Sequence, residues 1–312
     1  MAAASTPPPP PSADAPAPRA KKTALDFMLG GNSVKTNGYL AAFASNAPLL
    51  RALRSDEAYA SIIRTHGLKK EITEASAALN RVKRCIERLT SHDTSAGGAK
   101  RKDGAGLCFV DLCSGKGFLS MLLAWEFPKA KVLQVDNDDN LTRLDHLTSL
   151  PTITFHREDI YSENAQKLVS DAVRDAACEA CVVLGVHLCG ELSRRAVTLW
   201  RDSGAHALVL APCCLPRRRR HDAFGFHVKD QARAMKVPSY QLWCTMLYGL
   251  LPRESHHCEM CADDDVVGPF GTFVCATRKG AAGVDAGRAE GAVRRGIRAG
   301  REASKWVILR DG

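Results

Sequence analysis

The chain has 312 residues, of which 45% are hydrophobic and 25% are charged, as in an ordinary soluble globular protein. It carries 43 Lys and Arg against 34 Asp and Glu, and the formal net charge of +9 favours acidic partners such as nucleic acid. The longest apolar runs are shorter than the ~18 residues of a membrane span, so a membrane-spanning protein is excluded. Twelve cysteines without a secretory signal indicate free thiols, and we expect an intracellular protein, cytoplasmic or nuclear in preference to organellar.

The N-terminal part of the chain divides into two segments. Residues 1–24 hold seven of the fifteen prolines and almost no large apolar side chain, so this Pro/Ala-rich segment is predicted to be disordered. Residues 25–92 show helical periodicity, which is clearest between Ile72 and Leu89, where apolar side chains recur along one stripe. This pattern predicts a helical N-terminal extension.

From residue 105 onwards, short apolar strands alternate with helices. The predicted strands, which end at or near an acid, a histidine or a cysteine, are Leu107–Val110, Lys131–Val135, Thr152–Phe155, Cys181–Val186 and Ala207–Ala211. Strands that alternate with helices form βαβ units, so the sequence predicts a parallel sheet that is covered on both faces.

The end of this region departs from the alternation. A helix is predicted over Tyr240–Leu251, and two strand-like segments, His256–Ala262 and Thr272–Thr277, follow it with a short connection. Such neighbours pair antiparallel, and a parallel sheet that ends in an antiparallel hairpin is similar to the layout of class I methyltransferases. We therefore predict an α/β domain with a Rossmann-like seven-stranded methyltransferase sheet over 105–279 and a basic flexible tail over 280–312.

The strongest motif lies where the first of these strands meets the following helix. The strand ends in Asp111, Cys113 follows, and a turn with Gly115 and Gly117 opens the helix. Glycines let a backbone approach a ligand closely, and a carboxylate can hold a cationic amino group. A dinucleotide-binding fingerprint needs a third glycine three residues later, which is missing here, so an NAD site is disfavoured.

Two further acids follow the next two strands. Asp136 ends the second strand, where a carboxylate accepts hydrogen bonds from both hydroxyls of a ribose, and Asp159 follows the third strand, where it can accept from an adenine amino group. Three acids at three successive strand ends describe a pocket for S-adenosyl-L-methionine. We expect this cofactor to contact Asp111, Cys113, Gly115, Gly117, Asp136 and Asp159.

Three short motifs resemble a known group of proteins. Asp-Leu-Cys-Ser-Gly-Lys-Gly over 111–117, His-Leu-Cys-Gly over 187–190 and Pro-Cys-Cys over 212–214 resemble the methyltransferase-like family that includes the glutathione-S-transferase-C-terminal-domain-containing proteins. The last two motifs are also similar to those of the tRNA acceptor-stem 2′-O-methyltransferases. The resemblance covers about 105–279 and implies a class I methyltransferase that depends on S-adenosylmethionine. Cys113 departs from the general pattern, which has glycine there.

Four residues at the ends of the fourth and fifth strands are candidate catalytic groups: His187, Cys189, Cys213 and Cys214. In an open α/β sheet these strand ends flank the ligand, so the side chains should lie near the transferable methyl group. Histidine can take a proton from a hydroxyl or amine as the methyl arrives. A thiolate can instead attack a pyrimidine ring, and the third alternative is that the cysteines are small buried hydrophobes.

A run of arginines and a pair of cysteines follow the fifth predicted strand. The run Arg217, Arg218, Arg219 and Arg220 follows Cys214 closely and can grip phosphates at the substrate entrance, or be a solvated loop. Cys258 and Cys261 lie in a predicted strand, where residues three apart point to opposite faces, so no metal is expected there.

Taken together, these features predict a methyltransferase that depends on S-adenosylmethionine and that favours RNA, possibly tRNA, as its substrate. One alternative is a protein or small-molecule methyltransferase. Another is a methyltransferase fold that binds cofactor or a partner without catalysis. The sequence assigns no oligomeric state.

Overall fold

The computed structural model of the protein describes residues 22–90, 102–141, 144–217, 225–280 and 309–310. The predicted basic tail, apart from its strand residues 309–310, and nearly all of the Pro/Ala-rich segment lie outside these ranges, and so do Arg218, Arg219 and Arg220. Within the described ranges, no helix is both long and apolar enough to cross a bilayer.

A mixed β-sheet forms the centre of the molecule. Its strands are β1 (Leu107–Leu112), β2 (Lys131–Asp136), β3 (Ile153–Arg157), β4 (Ala180–Cys189), β5 (Ala207–Cys214), β6 (His256–Ala262), β7 (Thr272–Arg278) and the two-residue β8 (Leu309–Arg310). The order across the sheet is β3-β2-β1-β4-β5-β7-β6-β8. β1 to β5 are parallel, and β7 pairs antiparallel with both β5 and β6. The predicted fold class is confirmed, and β8 is an addition at the edge.

Two strands continue three residues beyond their predicted ends, farther than any other strand of the sheet. β4 continues beyond Val186 to Cys189, and β5 continues beyond Ala211 to Cys214. The reason is an irregular register between the two strands, since β-bulges on either side of Leu188 let pairing resume at Cys189 and Cys214. His187 and the cysteines therefore lie within strand ends, not in the loops that follow them.

In the described part of the chain, six α-helices precede the sheet: α1 (Ala24–Leu29), α2 (Ser33–Thr36), α3 (Gly38–Ser45), α4 (Ala47–Ser55), α5 (Ala60–Ile63) and α6 (Leu68–Thr90). The predicted stripe on α6 is buried from Ile72 to Ile86 apart from Leu79, which is partly buried. Together with α7 (Phe118–Glu126), these helices form one apolar core with a face of the sheet that includes Phe109 and Phe273. Burial of each such large apolar side chain stabilises the fold by about 1.5–3 kcal/mol.

The opposite face of the sheet is covered by α8 (Glu163–Arg174), α9 (Glu191–Ser203) and α11 (Ser239–Gly249), while the short α10 (Val228–Met235) packs beside α11. Trp200 on α9 and Trp243 on α11 are its largest fully buried side chains. Helices thus cover both faces, as predicted, and leave the carboxyl ends of β1 to β5 at one edge for the site.

A buried ionic network joins the N-terminal helices to the β6–β7 connection. Arg81 Nη1 on α6 lies 2.7 Å from Asp263 Oδ2, and the two side chains are only 4% and 11% exposed. The Tyr39 hydroxyl donates to the same carboxylate at 2.6 Å, and the Arg81 guanidinium lies 4.3 Å from the centre of the Phe273 ring. Because a buried charge that loses its partner is strongly destabilising, this network holds α6 in a defined position on the sheet.

Candidate functional site

The loop between β1 and α7 is held in a tight, left-handed backbone. Cys113, Gly115 and Gly117 have φ angles of 53°, 54° and 74°. The Gly115 amide donates to Asp136 Oδ2 at 2.8 Å, which ties the loop to the end of the neighbouring strand β2. The loop follows the buried strand β1 directly, so its backbone faces the edge where a ligand of the sheet binds.

The two glycines of this loop have different surroundings. A Cβ atom added to Gly115 would meet no atom within 4 Å, whereas one added to Gly117 would lie 1.5 Å from Nε2 of the buried Gln134 side chain. Gly117 is therefore required by packing of the loop against β2. Gly115 borders open space, which is the room a ligand needs to approach the backbone.

Asp136 is the last residue of β2, and Asp159 follows the end of the adjacent strand β3 by two residues. The Asp136 carboxylate accepts from the amides of Gly115 and Asp138, the latter at 2.9 Å, and is nearly buried. Asp159 is exposed and accepts from the Tyr161 amide at 2.9 Å. These backbone donors fix the orientation of each carboxylate, and each oxygen retains a lone pair for a ligand hydroxyl or amine.

Asp111 is buried in the core below the loop. Ser120 Oγ donates to Asp111 Oδ2 at 2.7 Å, and the residue is 2% exposed. Burial raises the pKa of this carboxyl to about 7, and the nearby Asp136 acts in the same direction. The proposed contact of Asp111 with a ligand ammonium group stays a prediction.

At the bulged end of β4, His187 has a left-handed backbone with a φ of 68°. Its Nε2 atom lies 2.5 Å from Oε2 of Glu74 on α6, at the distance of an ion pair but without the alignment of a hydrogen bond. The imidazole is 29% exposed, whereas the Glu74 side chain is 5% exposed. The buried carboxylate therefore lies against the Nε2 edge of the imidazole.

Glu74 was missed in the sequence because the predicted apolar stripe passes beside it. The signal that could have found it is a second helical stripe, which carries Glu74, Ala78, Arg81 and Cys85 at spacings of four, three and four residues and is buried throughout. Charged residues along a buried helical stripe have a partner or a function.

Three cysteine sulfurs meet beside His187. Cys189 Sγ lies 3.3 Å from Cys213 Sγ and 3.4 Å from Cys214 Sγ, and the third separation is 3.6 Å. Cys213 Sγ also donates to the His187 carbonyl at 3.1 Å. The structure thus brings the three candidate thiols together beside the backbone carbonyl of His187, and Cys189 and Cys214 are exposed, not buried hydrophobes.

Next to the thiols, a cleft of about 690 Å³ opens between β5 and α10–α11. Its lining includes Cys213, Cys214, the basic residues Arg217, Lys229 and Arg233, and the acidic Asp230, whose Oδ1 atom lies 3.2 Å from Arg233 Nη1. Two aromatic rings also line it, and Tyr240 and Phe270 lie 4.9 Å apart between ring centres. Of these cleft residues only the cysteines and Arg217 were predicted, since α10 lies beyond the arginine run and gave no separate signal.

Part of the chain matches a known protein family. Residues 69–218, which begin in α6 and end just after β5, match a family model described as a methyltransferase domain. The stretch that is similar to a methyltransferase domain is just under half of the chain. The predicted enzyme class, a methyltransferase that depends on S-adenosylmethionine, and its cofactor are thereby confirmed. The finer resemblance to the glutathione-S-transferase-related group and to the tRNA enzymes stays a prediction.

The methyltransferase is similar to several solved structures. Human N-acetylserotonin methyltransferase in complex with SAM is 14% identical over 81% of this chain and 67% of that one, with a TM-score of 0.33. An O-methyltransferase family protein from Burkholderia thailandensis is 14% identical over 82% and 74%, with a TM-score of 0.36. The 23S rRNA methyltransferase ErmE is 13% identical over 63% and 68%, with a TM-score of 0.33. No protein with a curated description matches the chain.

Proposed function

We propose that this methyltransferase acts on RNA, which enters through the basic cleft beside β5. The observation that carries the proposal is the lining of that cleft, where Arg217, Lys229 and Arg233 outnumber the one acid, Asp230, and which also includes the Tyr240–Phe270 pair. Cations that contact phosphates, together with aromatic rings that contact bases, are the combination that single-stranded nucleic acid requires. The same charges at the cleft give no advantage to a neutral metabolite.

The cofactor pocket in this proposal is the space above Gly115. Its residues fit S-adenosylmethionine, because a glycine with no atom within 4 Å of its Cβ position leaves room for a ligand, and Asp136 and Asp159 present fixed carboxylate oxygens beside it. In this arrangement Asp136 holds the ribose hydroxyls and Asp159 the adenine amino group, while Cys113 and Gly117 shape the loop. When bound, the cofactor supplies an electrophilic methyl group.

His187 is the proposed proton acceptor for a hydroxyl or a base nitrogen of the substrate. Its Nε2 atom is buried beside Glu74, so Nδ1 is the ring nitrogen left to accept the proton. Glu74 acts as a positioning residue, because its buried carboxylate orients the ring and stabilises the imidazolium that forms. General base catalysis of this kind contributes roughly 10²–10⁴-fold to the rate.

The test is transfer of labelled methyl groups into separated pools of total RNA, protein and small molecules. The decisive variant replaces Lys229 and Arg233 with Gln, and the matched control replaces the exposed basic residues Lys167 and Arg174 on α8 with Gln. We expect label in RNA. In the cleft variant, the slope of the logarithm of the RNA-binding constant against the logarithm of the salt concentration should become shallower by about 0.7 per lost phosphate contact. The control should keep the original slope.

Three results would contradict the proposal. Label confined to protein or to small molecules rejects RNA as the substrate and keeps the enzyme. Label in RNA that responds equally to both double variants rejects the cleft as the RNA entrance. Binding of S-adenosylhomocysteine without label in any pool indicates a cofactor-binding protein without catalysis on these substrates.

A further inference from the structure

We propose that Cys189, Cys213 and Cys214 form a zinc site with an open fourth position. Their three sulfur atoms form a nearly equilateral triangle with edges of 3.3, 3.4 and 3.6 Å. They are the one group in the described ranges whose potential metal-binding atoms all lie within 4.8 Å of one another. The inference does not depend on the identity of the methylated substrate.

The size of the triangle suits a metal ion bound by thiolates. With Zn–S bonds of about 2.3 Å, an ion equidistant from the three sulfurs lies about 1.2 Å above their plane, with S–Zn–S angles of about 92–103°. Ideal tetrahedral angles require sulfur separations of about 3.8 Å, so the triangle expands by only a few tenths of an ångström when the ion binds. No change of rotamer is needed to converge on the ion.

The protein backbone holds these residues where they are. Cys189 and Cys214 are paired across the last positions of β4 and β5, and the Gly190 amide donates to the Cys214 carbonyl at 3.1 Å. Gly190 has a φ of 54°, which turns the chain away immediately after Cys189. Ligands on adjacent strand ends are preorganised, so little conformational entropy is lost when the metal binds.

Hydrogen bonds between thiols do not explain why three cysteine side chains cluster here. An S–H group is a weak donor and a weak acceptor, so mutual hydrogen bonds stabilise a cluster of three only slightly. All three cysteines are free, and three sulfurs cannot be satisfied by one disulfide. Soft thiolate ligands without carboxylates select zinc over magnesium, calcium and manganese.

Binding of the ion replaces the thiol protons. Each cysteine binds such an ion as a thiolate, after loss of its S–H proton. Coordination by three thiolates therefore releases up to three protons, including the one that Cys213 donates to the His187 carbonyl. The fourth position is left for water or a substrate atom, since Cys213 and Cys214 line the cleft. In this state the cysteines are ligands and not nucleophiles.

The first test measures metal in the purified full-length protein. We expect about one zinc per chain, as in a mononuclear three-cysteine site. Replacement of Cys189, Cys213 or Cys214 with Ser should reduce the content at least tenfold, whereas Cys178→Ser, at the opposite end of β4, should keep it. In wild-type protein, alkylation should spare these three thiols until a chelator is added.

Several outcomes would overturn the metal site. A folded wild-type chain without metal, even after incubation with zinc under reducing conditions, rejects it. So does metal that persists in the three Ser variants or is lost in Cys178→Ser. Because the alkylation experiment uses wild-type protein, it decides the question even if a Ser variant fails to fold. Binding of S-adenosylhomocysteine, measured in parallel, separates failure of the metal site from failure of the proposed enzyme.

Discussion

Gly115→Ala and Gly117→Ala should have different consequences, although the two glycines are two residues apart in one loop. Both have left-handed φ angles, 54° and 74°. A Cβ at Gly115 enters open space, whereas a Cβ at Gly117 overlaps the buried amide of Gln134 at 1.5 Å. We therefore expect Gly115→Ala to reduce cofactor binding and Gly117→Ala to reduce stability.

The expected losses of stability follow from the left-handed backbone and from the overlap with Gln134. A left-handed backbone costs a residue with a Cβ about 1–2 kcal/mol, and this cost applies to both variants. The overlap at Gly117 adds about 1–3 kcal/mol of overpacking, because Gln134 is fully buried and must move within the core. The free energy of unfolding should fall by about 1–2 kcal/mol in Gly115→Ala and by about 2–5 kcal/mol in Gly117→Ala.

Urea unfolding followed by circular dichroism gives the stabilities, and calorimetric titration with S-adenosylhomocysteine gives the affinities. Gln134→Ala, alone and combined with Gly117→Ala, completes a double-mutant cycle whose coupling energy should be about 1–3 kcal/mol. If Gly115→Ala binds the ligand with unchanged affinity, the space above Gly115 is not the cofactor pocket. If the two alanine variants are equally stable, packing against Gln134 does not explain Gly117.

Three further outcomes are expected. Glu74→Gln should reduce kcat by about tenfold or more while the KM for RNA and the affinity for S-adenosylhomocysteine are kept; an unchanged kcat rejects the positioning role. Asp111 has a pKa of about 7 in the fold against an ordinary 3.8, so it destabilises the fold progressively as pH rises from about 4 to 7, by up to about 4 kcal/mol. Asp111→Asn should remove this slope in unfolding measurements, and an identical slope in both proteins contradicts the assignment. Asp263→Ala, which leaves Arg81 buried without its partner, should cost about 3–5 kcal/mol in urea unfolding, and a loss below 1 kcal/mol contradicts that estimate.

The fold and the cofactor loop could be predicted from the sequence because their signals are local. Alternation of short apolar strands with helices is set by neighbouring residues, and a parallel sheet follows from it. The glycines after β1 and the acids at Asp136 and Asp159 follow strand ends directly, so the topology of the sheet brings them to one edge without further information. The antiparallel pairing of β6 and β7 could likewise be predicted, because the connection between these two strands is short.

The contact between His187 and Glu74 and the cluster of three thiols were decided by tertiary structure. Glu74 precedes His187 by more than one hundred residues, and only the packing of α6 on the sheet places the two side chains in contact. Cys189 reaches Cys213 and Cys214 because bulges beside Leu188 shift the register of β4 against β5, and no local pattern encodes such a shift. Local periodicity thus determined which elements form, whereas long-range packing and strand register determined which side chains share the site.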